Sequence, residues 1–433
     1  MRVVISSHCP LSISGYATQT LNMIEMLLQH GHHVPAVICW NVPTKSTSHA
    51  LNARTLQDVA QEWGTLNDVH PDHRETFRHI RVYGMLFPNY PHTPIHNASP
   101  FNSVFRKEKA DVAVFHQDYF SYARMRGRFS VPTMLFCPIH CTPIEPDNRA
   151  ALTHFDQHVA MTAYSERVLI DTLRDMQRPT HTVTRIPLTV DTRVFTPPSK
   201  NVPRTHYKQR LGFQPNDFLC LIVGNNTEFK DRKAFAQNIQ AFGQFARNKP
   251  RAQLYLHTHV KGAVPILRLL KRNRILKNFQ TCCGQTYLQN GYSKHALADL
   301  YRAADVLLFA SKSEGFGLPV IEAQACGCSV VTTHFSAMPE HTVNGISTPW
   351  NKKEFPKIMS DNDTQSFWVV PDARAVLHAL ETIYAWDDAT RTRKRTEGVV
   401  FAQRYSLQTV GANFARACET LAPRNKKKVT QTT

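Results

Sequence analysis

The sequence predicts an α/β protein made of two doubly wound, parallel-sheet domains. Three observations carry this. The 433 residues suit two domains of about 200 residues each. The chain opens on an apolar strand, Val3–Ser6, then a loop, an amphipathic helix and a second strand, Val34–Trp40. Far downstream, Val306–Thr333 repeats that order as apolar run, glycine loop, helix and β-rich run.

The downstream unit says more about function. Val306–Ala310 is a continuous apolar run, the pattern of a strand buried on both faces. Gly315 and Gly317 follow, and they let the backbone turn sharply and approach a ligand. Pro319 suits the first turn of a helix over Pro319–Cys326, which Gly327 ends. The loop then lies at the carboxyl end of a strand, where open sheets bind ligands. Two carboxylates frame it: Glu314 at the strand exit and Glu322 in the first turn of the helix. Free N–H groups at the loop and helix start suit an anion such as a diphosphate. A carboxylate beside them is placed to accept hydrogen bonds from sugar or ribose hydroxyls.

The stretch E-G-F-G-L-P-x-x-E-A at 314–323 resembles the motif of the family-4 glycosyltransferases. These are retaining enzymes with the GT-B fold: two Rossmann-like domains face across a cleft, and a C-terminal helix crosses back to the first domain. In that family the first Glu lies near the transferred sugar and the second binds the ribose hydroxyls. The resemblance implies those roles for Glu314 and Glu322, and a donor-binding role for Gly315, Phe316, Gly317 and Leu318. It runs from Arg2 to about Leu421. It is strongest over Leu297–Glu340 and absent over 41–105.

Taken in order, the first helix spans about Tyr16 to His30, with Leu21, Ile24, Leu27 and Leu28 on one face. Gly15 matches the family glycine of the first loop, near the donor phosphates; a plain helix start is the other reading of it. Ser14 stands where the family has a second glycine, and no G-x-G-x-x-G occurs. Residues 41–102 carry no motif, and the family implies acceptor-recognition loops there. Asp111–Phe115 and Pro132–Phe136 are short buried strands ending near His116 and His140. The segment PTMLFCPIHCT resembles the family strand that ends in a histidine facing the transferred sugar, which implies that role for His140. Ser165 with Glu166 reads as a helix N-terminus.

Ile186–Pro198 resembles the family's domain junction, with Leu188 and Thr189 in place of its Asn-Gly, and 197–200 reads as a hinge. Phe218–Val223 opens the second domain. The family places an Arg and a Lys in the next loop to neutralise the diphosphate. Here Asn225 or Asn226 occupies the Arg position, and the basic pair Arg232-Lys233 comes later, opening a helix. The resemblance implies that Arg232 and Lys233 meet the phosphates, with Asn226 beside the donor. Gln280–Gln285 matches the loop that reads the base. Glu340 is expected to be structural or to support the site. Residues 347–367 read as an inserted surface loop, 371–384 as a helix and 402–421 as the final helix.

Domain boundaries follow as 1–196 on the acceptor side, 197–400 for nucleotide-sugar binding, 401–421 for the crossover helix and 422–433 for a basic disordered tail. Net charge is +18, which suits an anionic ligand or surface, either a nucleotide or an acidic membrane. No run of eighteen apolar residues occurs, and MRVVISSHCP is not a signal-peptide pattern, so a cytoplasmic setting is expected. The ten cysteines are scattered without a CxxC, and Cys137 and Cys141 around His140 are too few for zinc. No metal-ligand cluster such as D-x-D stands in a suitable loop, so no metal or resident cofactor is expected.

The expected partners are a nucleoside-diphosphate sugar and a glycan or lipid-linked acceptor, with peripheral contact to an anionic membrane and no nucleic acid. Two other readings stand beside this one. A DNA-modifying glycosyltransferase would fit the charge but has no base-flipping motif behind it. A degenerate GT-B binding protein would fit the missing Arg and the altered Asn-Gly segment.

Overall fold

The computed structural model describes residues 1–12, 14–40, 54–56, 74–84, 95–228, 230–275, 277–282, 292–353, 357–358 and 367–422. Most of 41–102, the end of 280–285 and the basic tail lie outside the described residues.

The first sheet has eight strands: β1 (Arg2–Ser7), β2 (His33–Cys39), β3 (Arg54–Thr55), β4 (Arg81–Gly84), β5 (Val112–His116), β6 (Thr133–Phe136), β7 (Gln157–Ala160) and β8 (Val183–Arg185). Their order is β3-β4-β2-β1-β5-β6-β7-β8. All neighbours are parallel except the edge pair β3–β4. The chain first builds one side of β1, then returns to the other side with β5. The loops leaving β1 and β5 therefore flank a switch point, where a twisted open sheet leaves a crevice. Val3, Val4 and Ile5 are fully buried, as helices on both faces require.

The second sheet repeats the plan with six parallel strands: β9 (Phe218–Val223), β10 (Ala252–His257), β11 (Phe279–Thr281), β12 (Val306–Phe309), β13 (Ser329–Thr333) and β14 (Ile346–Thr348). The order β11-β10-β9-β12-β13-β14 puts its switch point between β9 and β12. The basic loop after β9 and the glycine loop after β12 thus leave the sheet side by side. The helix after the glycine loop spans Leu318–Ala325. Gly317 precedes it in the left-handed region at φ 86°, where a side chain would also strike Met338.

One apolar cluster runs unbroken from Ile5 and Leu27 through Ile186, Val190 and Phe195 to Leu307 and Val320. The helix Leu407–Leu421 completes it from the far end of the chain. Phe414 is fully buried, with its ring 5.6 Å from Phe136, and His32 meets Glu419 at 3.0 Å. The last helix therefore packs on the first domain, beside the helix Gly15–Gln29. The altered junction is held by that same first helix. Gln19 accepts from Thr189 N at 3.0 Å and donates to its carbonyl at 2.8 Å, while Asn22 donates to Thr189 Oγ1 at 3.0 Å. Arg193 joins Asp191 at 2.8 Å to Glu25 at 2.7 Å.

Several expected boundaries move. Thr162, not Ser165, caps the helix Ala163–Asp175; Ser165 is the third residue of a capping box. Arg232 and Lys233 precede their helix instead of opening it. That helix is Phe235–Phe245, and Asp231 caps it by accepting from Phe235 N and Ala236 N at 2.8 and 3.1 Å. Glu322 lies past the first turn of its helix, which holds no acid. The final helix starts at Leu407, capped by Ser406, instead of at 402, and a separate helix Asp388–Ala402 and a short turn precede it. The stretch read as a surface insertion ends in an antiparallel pair, β15 (Lys357–Ile358) and β16 (Phe367–Trp368), and Trp368 is buried.

Candidate active site

The glycine loop and the basic loop meet at Glu314. Its carboxylate receives Lys233 Nζ at 2.7 Å on one oxygen and Arg232 Nη1 at 3.1 Å on the other. Arg232 also pairs with Glu228 at 2.9 Å and donates to the Ser313 carbonyl at 3.1 Å. Two cations thus balance two carboxylates in a partly buried cluster. Burial alone would raise the Glu314 pKa, but Lys233 and Arg232 hold it below the usual range. Burial lowers the Lys233 pKa, with Glu314 opposing that shift. The lysine stem lies against Gly224, where a β-carbon would come within 3.2 Å of Lys233 Cγ. The glycine after β9 therefore makes room for the lysine.

Glu322 is 8% exposed, about as buried as Glu314. Tyr301 donates its O–H to Oε2 at 2.9 Å, and among the described residues no ion pair reaches this carboxylate. Burial pushes its pKa up to about 7. The two carboxylates of one motif are therefore set apart by environment: Glu314 is held ionised by cations, and Glu322 is poised near neutrality.

The opposing wall comes from the first domain. Ser14 Oγ accepts from Ala17 N and lies 2.8 Å from His8 Nδ1. Tyr16 stacks between His8 and His116, with ring centroids 5.0 and 4.8 Å away, and donates its O–H to Asp118 at 2.7 Å. Burial lowers the His116 pKa to about 3, so this imidazole is neutral. Burial raises the Asp118 pKa, and this group also feels His140, Arg232 and Glu228. Burial, aided by Arg232, lowers the His140 pKa. The two walls touch where Ser313 Oγ donates to the His140 carbonyl. Glu340 adds a second tie by accepting from Ala163 N at 3.0 Å across the domains, a supporting role.

Gly315 sits where the walls come closest. A β-carbon there would lie 2.6 Å from Pro138 Cβ and 3.0 Å from its Cα. Proline has a rigid ring and cannot yield, so the loops must separate. Gly315→Ala is expected to lower kcat/KM roughly 100-fold through misplacement of the two walls by about an ångström. Nucleotide affinity should stay within about threefold, because the second domain keeps its own loop. Calorimetry beside steady-state kinetics checks this, and equal losses in both would contradict it.

The structure thus brings together His140, Glu314, Arg232, Lys233 and Gly315 at one junction, with Glu322 on the adjoining helix. Gly15 is the first residue of its helix and faces Leu318, whose Cδ1 would lie 3.6 Å from a β-carbon there. Two other candidates have their side chains engaged within the protein. The Asn226 amide is spent on its own loop: it donates to the carbonyls of His259 and Val264 at 3.0 and 2.9 Å and accepts from Val264 N at 2.7 Å. It clamps 259–264 and has no polar hydrogen left for a donor. Phe316 is turned inward, 4.5 Å from His341 and 5.7 Å from Tyr405, so it wedges the loop.

Asp118, Glu228 and Trp368 were not singled out from the sequence. The H-Q-D run at the end of β5 could have pointed to Asp118. Nothing local marks Trp368, which reaches within 6.4 Å of His140 because Phe367 bridges to Thr142. Among the described residues, no group of three or more His, Cys, Asp or Glu side chains is placed to hold a metal ion. The nine cysteines among them are buried thiols. No helix of the described residues is long and apolar enough to cross a membrane.

Residues 217–383 match the family described as Glycosyl transferases group 1. The chain is similar to the D-inositol 3-phosphate glycosyltransferase of Geodermatophilus obscurus, 32% identical over 195 residues, which is 44% of this chain and 41% of that protein. The protein of the same name from Segniliparus rotundus is 29% identical over 166 residues, 37% of this chain and 34% of its own. The chain therefore spans less than half the length of these relatives. Solved structures match almost throughout. Sucrose-phosphate synthase from Thermosynechococcus elongatus has a TM-score of 0.67 at 16% identity, covering 97% of this chain and 99% of its own. Anabaena HepE, solved in complex with UDP-glucose, has a TM-score of 0.66 at 12% identity, covering 97% and 100%. These likenesses establish the two-domain GT-B fold.

Proposed function

We propose that this chain, GT-B in fold and matched over 217–383 by the group 1 glycosyltransferases, is a retaining glycosyltransferase. It moves a sugar from a nucleoside-diphosphate sugar to a hydroxyl of a glycan, a lipid or another acceptor. The observation that carries this reading is the Arg232–Glu314–Lys233 cluster, set beside the glycine loop at the switch point of the second sheet. Relatives named as inositol-phosphate glycosyltransferases, and a neighbour solved with UDP-glucose, support a nucleotide-sugar donor. A cytoplasmic setting, with peripheral contact to an anionic membrane where the acceptor is a lipid, fits the charge of +18.

The donor lies on the second domain. Its ribose hydroxyls donate to Glu322, and its diphosphate meets the N–H groups after Gly315 together with Lys233 and Arg232. The acceptor enters past His140 and Asp118. The bond from the anomeric carbon to the diphosphate oxygen breaks through an oxocarbenium-like state. The acceptor oxygen bonds to that carbon on the same face, and its proton passes to the departing phosphate oxygen. No nucleophilic side chain is needed. Arg232 and Lys233 stabilise the charge that grows on the leaving group, and we take the reaction to be metal-independent on that basis. The neutral His140 imidazole hydrogen-bonds a hydroxyl of the transferred sugar.

A thermal-shift panel of UDP, GDP, ADP and TDP sugars tests this, run beside Glu322→Ala. At least one donor should raise the wild-type midpoint, and the variant should bind it more weakly by about 1–3 kcal/mol, the worth of a charged hydrogen bond. A folded sample that no sugar nucleotide stabilises would favour a non-enzymatic binding protein.

A further inference from the structure

Lys294 is 9% exposed, and among the described residues its Nζ is buried without a hydrogen-bond partner. A buried ammonium lacking an acceptor is costly, so such a group is best explained by an acceptor that arrives with a ligand. The two carboxylates on which its charge acts make their hydrogen bonds elsewhere. Asp191 is held by Arg193 at 2.8 Å, and Glu322 Oε2 takes the Tyr301 hydroxyl at 2.9 Å.

The position of Lys294 points to the donor. It is the first residue of the helix Lys294–Ala303, which runs down to the start of β12. That helix therefore begins at the carboxyl edge of the sheet, the edge that carries the glycine loop. Tyr301, which seats Glu322, lies seven residues on along the same face, roughly 10 Å down the axis. The charge of Lys294 acts on Glu322 and Asp191, whereas the charges that act most on Glu314 and Lys233, beside burial, are those of their own cluster. Lys294 thus stands on the Glu322 side of the site, away from the cations assigned to the diphosphate.

We propose that Lys294 donates a hydrogen bond to a carbonyl oxygen on the base of the donor nucleotide and so selects a carbonyl-bearing base over adenine. This rests on the reading that Glu322 binds the ribose and Lys233 the diphosphate, which places the base beyond Glu322. An ammonium has three donors and no acceptor. It suits the oxygens of uracil, thymine or guanine. Adenine has no carbonyl: its acceptors are ring nitrogens, and its exocyclic group is an amine, a donor. An ammonium aimed at a carbonyl position meets that donor and stays unpaired, which is how a polar site rejects a ligand that lacks its partner group.

Calorimetric titration of wild type, Lys294→Met and Lys294→Arg with UDP, GDP and ADP tests the assignment. Wild type should bind UDP or GDP more tightly than ADP. Lys294→Met should lose roughly ten- to a hundredfold in affinity for the preferred nucleotide and little for ADP. Lys294→Arg should recover part of the loss. The ligand-free methionine variant should melt no lower than wild type, because it removes an unpaired charge; a lower midpoint would mean that Lys294 is structural. Equal losses for UDP and ADP would overturn the base contact in favour of a phosphate contact. Unchanged selectivity in Lys294→Met, with UDP still bound, would sink the inference alone. Wild type that binds none of the three would sink the donor reading with it.

Discussion

Lys233→Ala is expected to lower kcat by roughly 100- to 1,000-fold, the usual cost of removing one preorganised donor to a developing anion. The diphosphate gains charge as the anomeric bond breaks, so an ammonium beside it is worth more in the transition state than in the ground state. Before transfer this ammonium is shared with Glu314 at 2.7 Å, and Arg232 carries a second share at 3.1 Å. Arg232 therefore keeps Glu314 paired in the variant, and the fold should survive. Donor affinity should fall less than turnover, because in the ground state the diphosphate competes with a carboxylate for the same charge. Steady-state kinetics beside nucleotide titration would check the split. A kcat within threefold of wild type, with the donor still bound, would remove Lys233 from the leaving-group role.

The strands were legible because parallel sheets demand unbroken apolar runs. Phe218–Val223 and Ser329–Thr333 fall where the sequence puts them. Helix starts were less legible where the backbone does something unusual. Asp231 and Ala234 both take left-handed conformations at φ 51°, and neither residue type announces it. The turn they form places Arg232 and Lys233 ahead of their helix. Their side chains point to Glu314 and Glu228, whose negative charge offsets the positive end of the helix. The start of the final helix at Leu407 was signalled by Ser406, a good cap.

In the site, residues on one contiguous motif were readable and residues brought in from afar were not. Glu314, Arg232 and Lys233 sit on the two loops of a single switch point, with Glu322 on the helix that follows, so strand order alone collects them. Asp118 and His140 reach the same cleft only because two sheets face each other; His140 was named through the resemblance of its strand, and Asp118 was not. Lys294 depends on burial, which sequence spacing does not report. The departures at Leu188-Thr189 looked like losses but are compensated: Gln19 and Asn22, on the buried face of the first helix, hold that backbone.

Glu322→Gln should separate stability from function in opposite directions. The carboxyl is buried, and its pKa rises from 4.5 to about 7 through desolvation. The folded state therefore holds this proton more tightly than the unfolded chain. The resulting stability is fully present below pH 4.5 and is lost as pH rises through 7, a total of about 3 kcal/mol. Glutamine cannot ionise, and its carbonyl can still accept from Tyr301. The ligand-free variant should thus be more stable than wild type at pH 8 by up to about 3 kcal/mol and similar to it near pH 5. Nucleotide binding should move the other way, because ribose hydroxyls bond best to an ionised carboxylate. Wild-type affinity should rise with pH to a plateau above 7, and the variant should bind roughly 10- to 100-fold more weakly at pH 8 without that pH profile. Thermal melts and calorimetry at pH 5.5 and 8 read both effects. A variant no more stable than wild type at pH 8 would show that burial does not strain this carboxylate. Equal nucleotide affinity would show that the ribose is held elsewhere. Gaining stability while losing the ligand is the expected mark of a charge kept buried for binding at a cost to the fold.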